Sequence, residues 1–161
     1  MKIHDVLRDI AQGLGCSFMY ESRLSANNLL DAFRRDPESH EMVLPDGMTF
    51  PVMLYVQAVD GSLSVNAHGA VIDSPECDVC FMLPMPFQAR GPETVKIAEE
   101  LNRLAVAFVH DVNSCPWLQT IAGPIRYSLA YDDYDANLCV LTLTLTLTEA
   151  VGSCPPGCST F

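Results

Sequence analysis

Positive charge is scarce in this chain: nine Lys and Arg stand against twenty Asp and Glu, a formal net charge of −11. A surface of that sign repels a phosphate backbone, which argues against tight nucleic-acid binding by this chain alone. The same acidity keeps a cytoplasmic protein soluble, or lines a surface past which nucleic acid slides without being held. Long apolar runs are missing as well. No stretch approaches the roughly 18 residues that span a bilayer. Met1 to Ile10 interrupts its apolar residues with Lys2, Asp5, Arg8 and Asp9, unlike a signal peptide. The expectation is synthesis in the cytoplasm, with no membrane partner.

Catalytic motifs are also absent. The histidines His4, His40, His68 and His110 form neither a His-x3-His nor a His-Glu-x2-His pattern, and there is no glycine-rich phosphate loop and no Gly-x-Ser-x-Gly elbow. Cys115 with His110 or His68 is the formal candidate for a nucleophile and base. His110 falls in the last turn of a helix, where an imidazole partners the helix dipole, and Cys115 precedes Pro116-Trp117 in a loop, a packing position. Asp132, Asp133 and Asp135 match a calcium loop in acid content alone, without its glycine and distant glutamate. These absences predict no enzyme, no catalytic or metal-binding residue and no cofactor.

The seven cysteines, an odd number in a chain large enough to need no staples, point to a reduced compartment. Cys77-x2-Cys80 and Cys154-x3-Cys158 have the close spacing of thiolate ligands. Cys77 and Cys80 sit in a strand-like run, however, where positions three apart face opposite ways, and the turn residues of a zinc knuckle are missing. Buried or terminal spectator thiols are the simpler reading; a small zinc or redox module is the alternative.

What the sequence does have is apolar content, 49 % of 161 residues, enough for one domain that buries roughly two thirds of its unfolded surface. Ile3, Val6, Leu7, Ile10 and Leu14 recur at helical spacing, with Gly13 and Gly15 as the stop. Cys16 to Tyr20 reads as extended, Ser25 to Phe33 as a short second helix, and Arg34 to Ser39 as a polar link. Strands follow at Met42 to Leu44, Phe50 to Val59, Ser62 to Ile72 and Cys77 to Leu83, with turns at Asp46-Gly47, Asp60-Gly61 and Asp73-Ser74-Pro75. Pro84 and Pro86 end that region. Gly91-Pro92-Glu93 then opens a helix whose stripe is Ile97, Leu101, Leu104, Ala105, Phe108 and Val112. Ile125 to Tyr131 and Leu138 to Thr148 close the chain as strands, joined by an acidic turn, before a cysteine-bearing tail at 149–161.

In the last strand Leu141, Leu143, Leu145 and Leu147 alternate with Thr142, Thr144, Thr146 and Thr148. Leucines therefore face the core and threonines face solvent or a neighbouring subunit. Together these elements predict a single α+β domain, a mainly antiparallel sheet packed by an N-terminal helix and a long helix near 92–112.

Tyr131-Asp-Asp-Tyr-Asp-Ala-Asn-Leu138, running into the alternating strand and a short tail, resembles the C-terminal end of tail-terminator and tail-completion (neck) proteins of tailed bacteriophages, including those of phages and prophages of Bacteroidetes. The order of elements is similar over most of the chain, and the residue pattern over about Tyr131 to Thr148. The resemblance implies a structural virion protein, assembled in the host cytoplasm as a homo-oligomeric ring, a hexamer, at the head-proximal end of the tail. Its partners would be further copies of itself, the tail tube and the head or neck connector. A cytoplasmic binding or assembly adaptor is the alternative from another class.

Overall fold

The computed structural model describes residues 3–21, 34–35, 42–44, 47–56, 60–85, 90–133 and 138–150. The first element is helix α1, Ile3–Gly13, which buries Val6, Leu7 and Ala11. It ends as glycine placement predicts. Gly15 has φ +75°, and its N–H reaches the Gln12 carbonyl while the Cys16 N–H reaches that of Ala11. That pair of bonds satisfies carbonyls the helix leaves open, in a left-handed turn that costs glycine nothing.

Strand β1, Ser17–Glu21, lies parallel to β4, Val52–Val56; β2, Arg34–Arg35, and β3, Met42–Val43, form a separate two-stranded pair. Strands β5, Gly61–Val65, and β6, Val71–Pro84, are antiparallel, and helix α2 spans Gly91–Ser114. Strands β7, Arg126–Asp133, and β8, Leu138–Thr146, complete the main sheet in the order β1-β4-β6-β8-β7, with β5 joined to the first half of β6. Apart from the β1 and β4 pair, every pairing in it is antiparallel. The fold is α+β, as the periodicities require.

Both helices cover one face of the sheet. There α1 and the α2 stripe of Leu101, Leu104, Ala105, Phe108 and Val112 pack on Met53, Tyr55, Cys77, Val79, Phe81, Cys139 and Leu141 to Leu147 taken alternately. Phe81 and Phe108 meet edge to face at 5.7 Å, the geometry their ring quadrupoles favour. The opposite face has its own, smaller core of Met19, Val52, Leu54, Val56, Cys80, Met82, Leu138 and Val140, over which Leu44, Met48 and Phe50 pack. That cover ends partway along the strands. β4 is buried along its whole length, whereas β8 is buried on both sides from Leu138 to Leu141 and exposes Thr144 and Thr146 further on. The threonine face is therefore open in its second half, and Thr142 is half-buried.

Several sequence expectations change. The run Ser62 to Ile72 is not one strand: it contains a turn at 66–70, so the chain reverses from β5 into β6. Asn66 builds that turn, its side-chain Oδ1 accepting from the N–H groups of His68 and Ala70, while Gly69 takes φ +79°. Asp73-Ser74-Pro75 is the opposite case, a sequence turn signal that lies inside β6. Proline is tolerated because the ladder changes partner there. The Glu76 N–H bonds to the Asp60 carbonyl, and the Pro75 carbonyl accepts from the Leu147 N–H. Opposite Pro75 stands Gly61, where a Cβ would lie 3.1 Å from the proline Cα. Arg34 and Arg35 pair as a strand rather than a link, and Asp132 and Asp133 end β7 rather than forming the turn. β8 lies between β6 and β7 and has no free edge; the outer strands of that order are β1 and β7. The short helix read at Ser25 to Phe33 and the tail beyond Ala150 fall outside the described residues.

Candidate functional site

The sequence candidates for chemistry do not come together. Cys77 belongs to the core under the helices and Cys80 to the core on the other face, because three residues along a strand reverse direction. Cys77 donates to the Leu145 carbonyl at 3.6 Å, and Cys80 lies 3.5 Å from the Thr142 hydroxyl. Cys154 and Cys158 fall outside the described residues, as does Asp135. His68 is in the β5–β6 turn, and His110 is exposed near the end of α2, its Nδ1 3.7 Å from Asp111. Cys115 caps α2, its N–H on the Val112 carbonyl. Among the described residues no three His, Cys, Asp or Glu side chains gather as a metal site.

Burial sets the character of the thiols. Desolvation pushes Cys77 up to about 12, reinforced by the neighbouring Asp78 carboxylate and opposed by a hydrogen bond with Tyr55. Desolvation likewise raises Cys16 and Cys139. Burial thus disfavours the thiolate, the form that attacks and ligates. Tyr55 is raised by the same burial and by its proximity to Cys77, and its ring stacks on Tyr20 at 5.2 Å.

The surface tells more. Where β6 runs past the end of β8, residues Val71 to Ser74 pair in the ladder with β5 alone, so β5 and the start of β6 form a two-stranded arm. Leu63, Val65 and Val71 are 73 %, 69 % and 66 % exposed on it. The register puts Val65 opposite Val71 and Leu63 opposite Asp73, so all four share one face. Ser62, Ser64, Ile72 and Ser74 occupy the other face. An isolated hairpin is marginal in water, and an apolar face that stays wet on one marks a contact surface. β5 is paired on one side only among the described residues, so its outer backbone groups are open to a strand.

On the uncovered half of the sheet a cleft of about 470 Å³ is lined by Glu76, Thr120, Ile121, Ala122, Pro124, Ile125, Arg126, Thr144, Leu145, Thr146 and Thr148. Its outer wall is held in place from α2. Asn113 Oδ1 accepts from the Ile121 N–H at 2.7 Å and its Nδ2 donates to the Ile121 carbonyl, while the Gln119 N–H bonds to the Thr148 carbonyl. Thr144 Oγ1 donates to Asp78 Oδ1 at 2.8 Å, and Thr148 Oγ1 to Ser74 Oγ. Arg126 stands opposite Thr144 and makes no ion pair among the described residues, unlike Arg8 with Asp5 and Arg103 with Glu100.

Leu63, Val65, Val71 and Arg126 carry this surface, and sequence reading passed over them. The signal lay in Asn66-Ala-His-Gly69: a turn there splits the run Ser62 to Ile72, and an alternation of Ser and apolar residues on a short hairpin leaves no core for the apolar set. Compared with known proteins, the chain matches no protein-family model and no curated protein.

Proposed function

We propose that this chain is a structural virion protein of a tailed phage: a ring of identical subunits at the head-proximal end of the tail, which ends tube assembly and joins tail to head. The observation that carries the reading is the β5–β6 arm, whose apolar face joins no core among the described residues. A protein that works by assembly needs such a surface, whereas an enzyme needs convergent polar groups in a pocket. The resemblance of Tyr131 to Thr148 to the tail-terminator proteins supplies the kind of assembly. The acidic surface suits it, since a ring on the path of DNA must let the duplex pass without binding it. The ring contact is heterologous, so the tail tube can serve as its template and the free subunit can be monomeric at low concentration.

The test is imaging of particles made without the gene. Tails of uncontrolled length, or heads left unjoined to tails, are the expected result. Normal, infectious virions would falsify the assignment and return the protein to the binding and assembly adaptors.

A further inference from the structure

Resting on the ring reading, we infer that the β5–β6 arm of one copy seats in the Thr120 to Arg126 cleft of the next, with Asp73 of the arm paired to Arg126 of the cleft. The two surfaces are complementary in kind. The arm offers an apolar face, Leu63, Val65 and Val71, interrupted by one carboxylate, Asp73, which is exposed and in no ion pair among the described residues. The cleft exposes Ala122 and Pro124 among the threonines Thr120, Thr144 and Thr146, with Ile121 and Ile125 half-buried against the core beneath, and ends in Arg126, a guanidinium in no ion pair among the described residues. Asp78, in register with Arg126 through Thr144, is two strands away, about 10 Å at ordinary strand spacing, and Glu76 lies two residues further along β6; neither forms an ion pair with Arg126 among the described residues. A carboxylate delivered to Arg126 with its apolar surroundings thus completes both partners at once.

The same copy cannot satisfy itself. Asp73 alternates with Ser74 and Glu76 along β6, so it shares the side of Cys77 and the helices, whereas the cleft opens on the side of Glu76 and Thr144. Arm and cleft are different surfaces on one chain, so the contact is head to tail and every copy carries one of each. The cleft wall, fixed by Asn113, is ready for the arm without rearrangement.

Charge reversal tests this with the full chain, folding checked by circular dichroism and molar mass measured by light scattering over a concentration series. Asp73→Arg and Arg126→Asp should each weaken self-association by on the order of tenfold or more. Mixed one to one, the two variants should assemble as the wild type does, in alternation, since the intact Asp73 arm of one fits the intact Arg126 cleft of the other and the reversed arm fits the reversed cleft. The double variant, Asp73→Arg with Arg126→Asp, should regain the wild-type behaviour. Wild type and both single variants assembling equally well would overturn this pairing while leaving a ring built on other contacts. So would a double variant that stays as weak as the singles. Wild type and mixture both monomeric throughout would also overturn the pairing, and the particle-imaging result would still decide the ring.

Discussion

Cys77 shows how far one buried side chain can be read. Its neighbours in sequence suggested a ligand pair with Cys80, and the strand period separated them onto two faces; each lies in a different core. What sequence spacing did not reveal is that Tyr55 lies against Cys77 and that both are held protonated by burial. The linkage has a definite sign. A thiol raised from 9.0 to about 12 binds its proton more tightly folded than unfolded, so its contribution is intact below pH 9 and declines as pH rises toward 12. The decline approaches about 1.4 kcal/mol per pH unit for one such group. Denaturant titrations at pH 8 and pH 10 should therefore show wild type losing stability more steeply than Cys77→Ala. Equal losses would mean that Cys77 ionises in the native state without penalty.

At the scale of elements, legibility followed burial on one side or two. α2 was readable because one face of it alone is buried, giving Leu101, Leu104, Phe108 and Val112 a clean helical period. β8 was readable for the same reason in its second half, where leucines are buried and Thr144 and Thr146 are exposed. β6 was not. Its first residues sit on an arm that joins neither core of the described residues and its last are buried on both faces, so its period changes along one strand, and Pro75 imitates a turn at the junction. The arm and the cleft were illegible for a further reason: they come from residues 61–75 and 120–126, and sequence pattern carries no account of which surfaces end up unpartnered. β8 supplies the quantitative check. Leu143→Ala or Leu145→Ala should cost about 2 to 5 kcal/mol, as core truncations do. Thr144→Ala, losing one exposed hydrogen bond to Asp78, should cost under about 1 kcal/mol in the isolated domain. Val140→Ala, on the threonine side but under Leu44, Met48 and Phe50, should cost more than Thr144→Ala. Thermal or denaturant unfolding of the four variants decides it; a Thr144→Ala cost equal to that of Leu143→Ala would mean the second half of the open face is covered.

The whole molecule carries a net charge of −11, and that sets a condition on assembly that no local contact sets. Identical subunits brought edge to edge repel through their entire fields, while the attraction we infer rests on burying an apolar arm and on one ion pair. The two respond differently to salt. At about 0.01 M ionic strength the Debye length is roughly 30 Å, comparable to the subunit, so nearly every acidic group on one copy feels those on the next; at about 0.15 M it is roughly 8 Å and most of that repulsion is screened. A pair at contact distance, shielded from water by the apolar residues around it, is screened far less, and apolar burial is not weakened by salt. Self-association should therefore tighten between 0.01 and 0.15 M sodium chloride at pH 7, and tighten again as pH falls toward the isoelectric region near 4.5 and the carboxylates take up protons. Sedimentation velocity at matched protein concentration would read both trends. Association that loosens with salt would mean that opposite charges, rather than the arm's leucine and valines, hold the copies together, and the contact between Leu63, Val65, Val71 and the cleft wall would have to be given up.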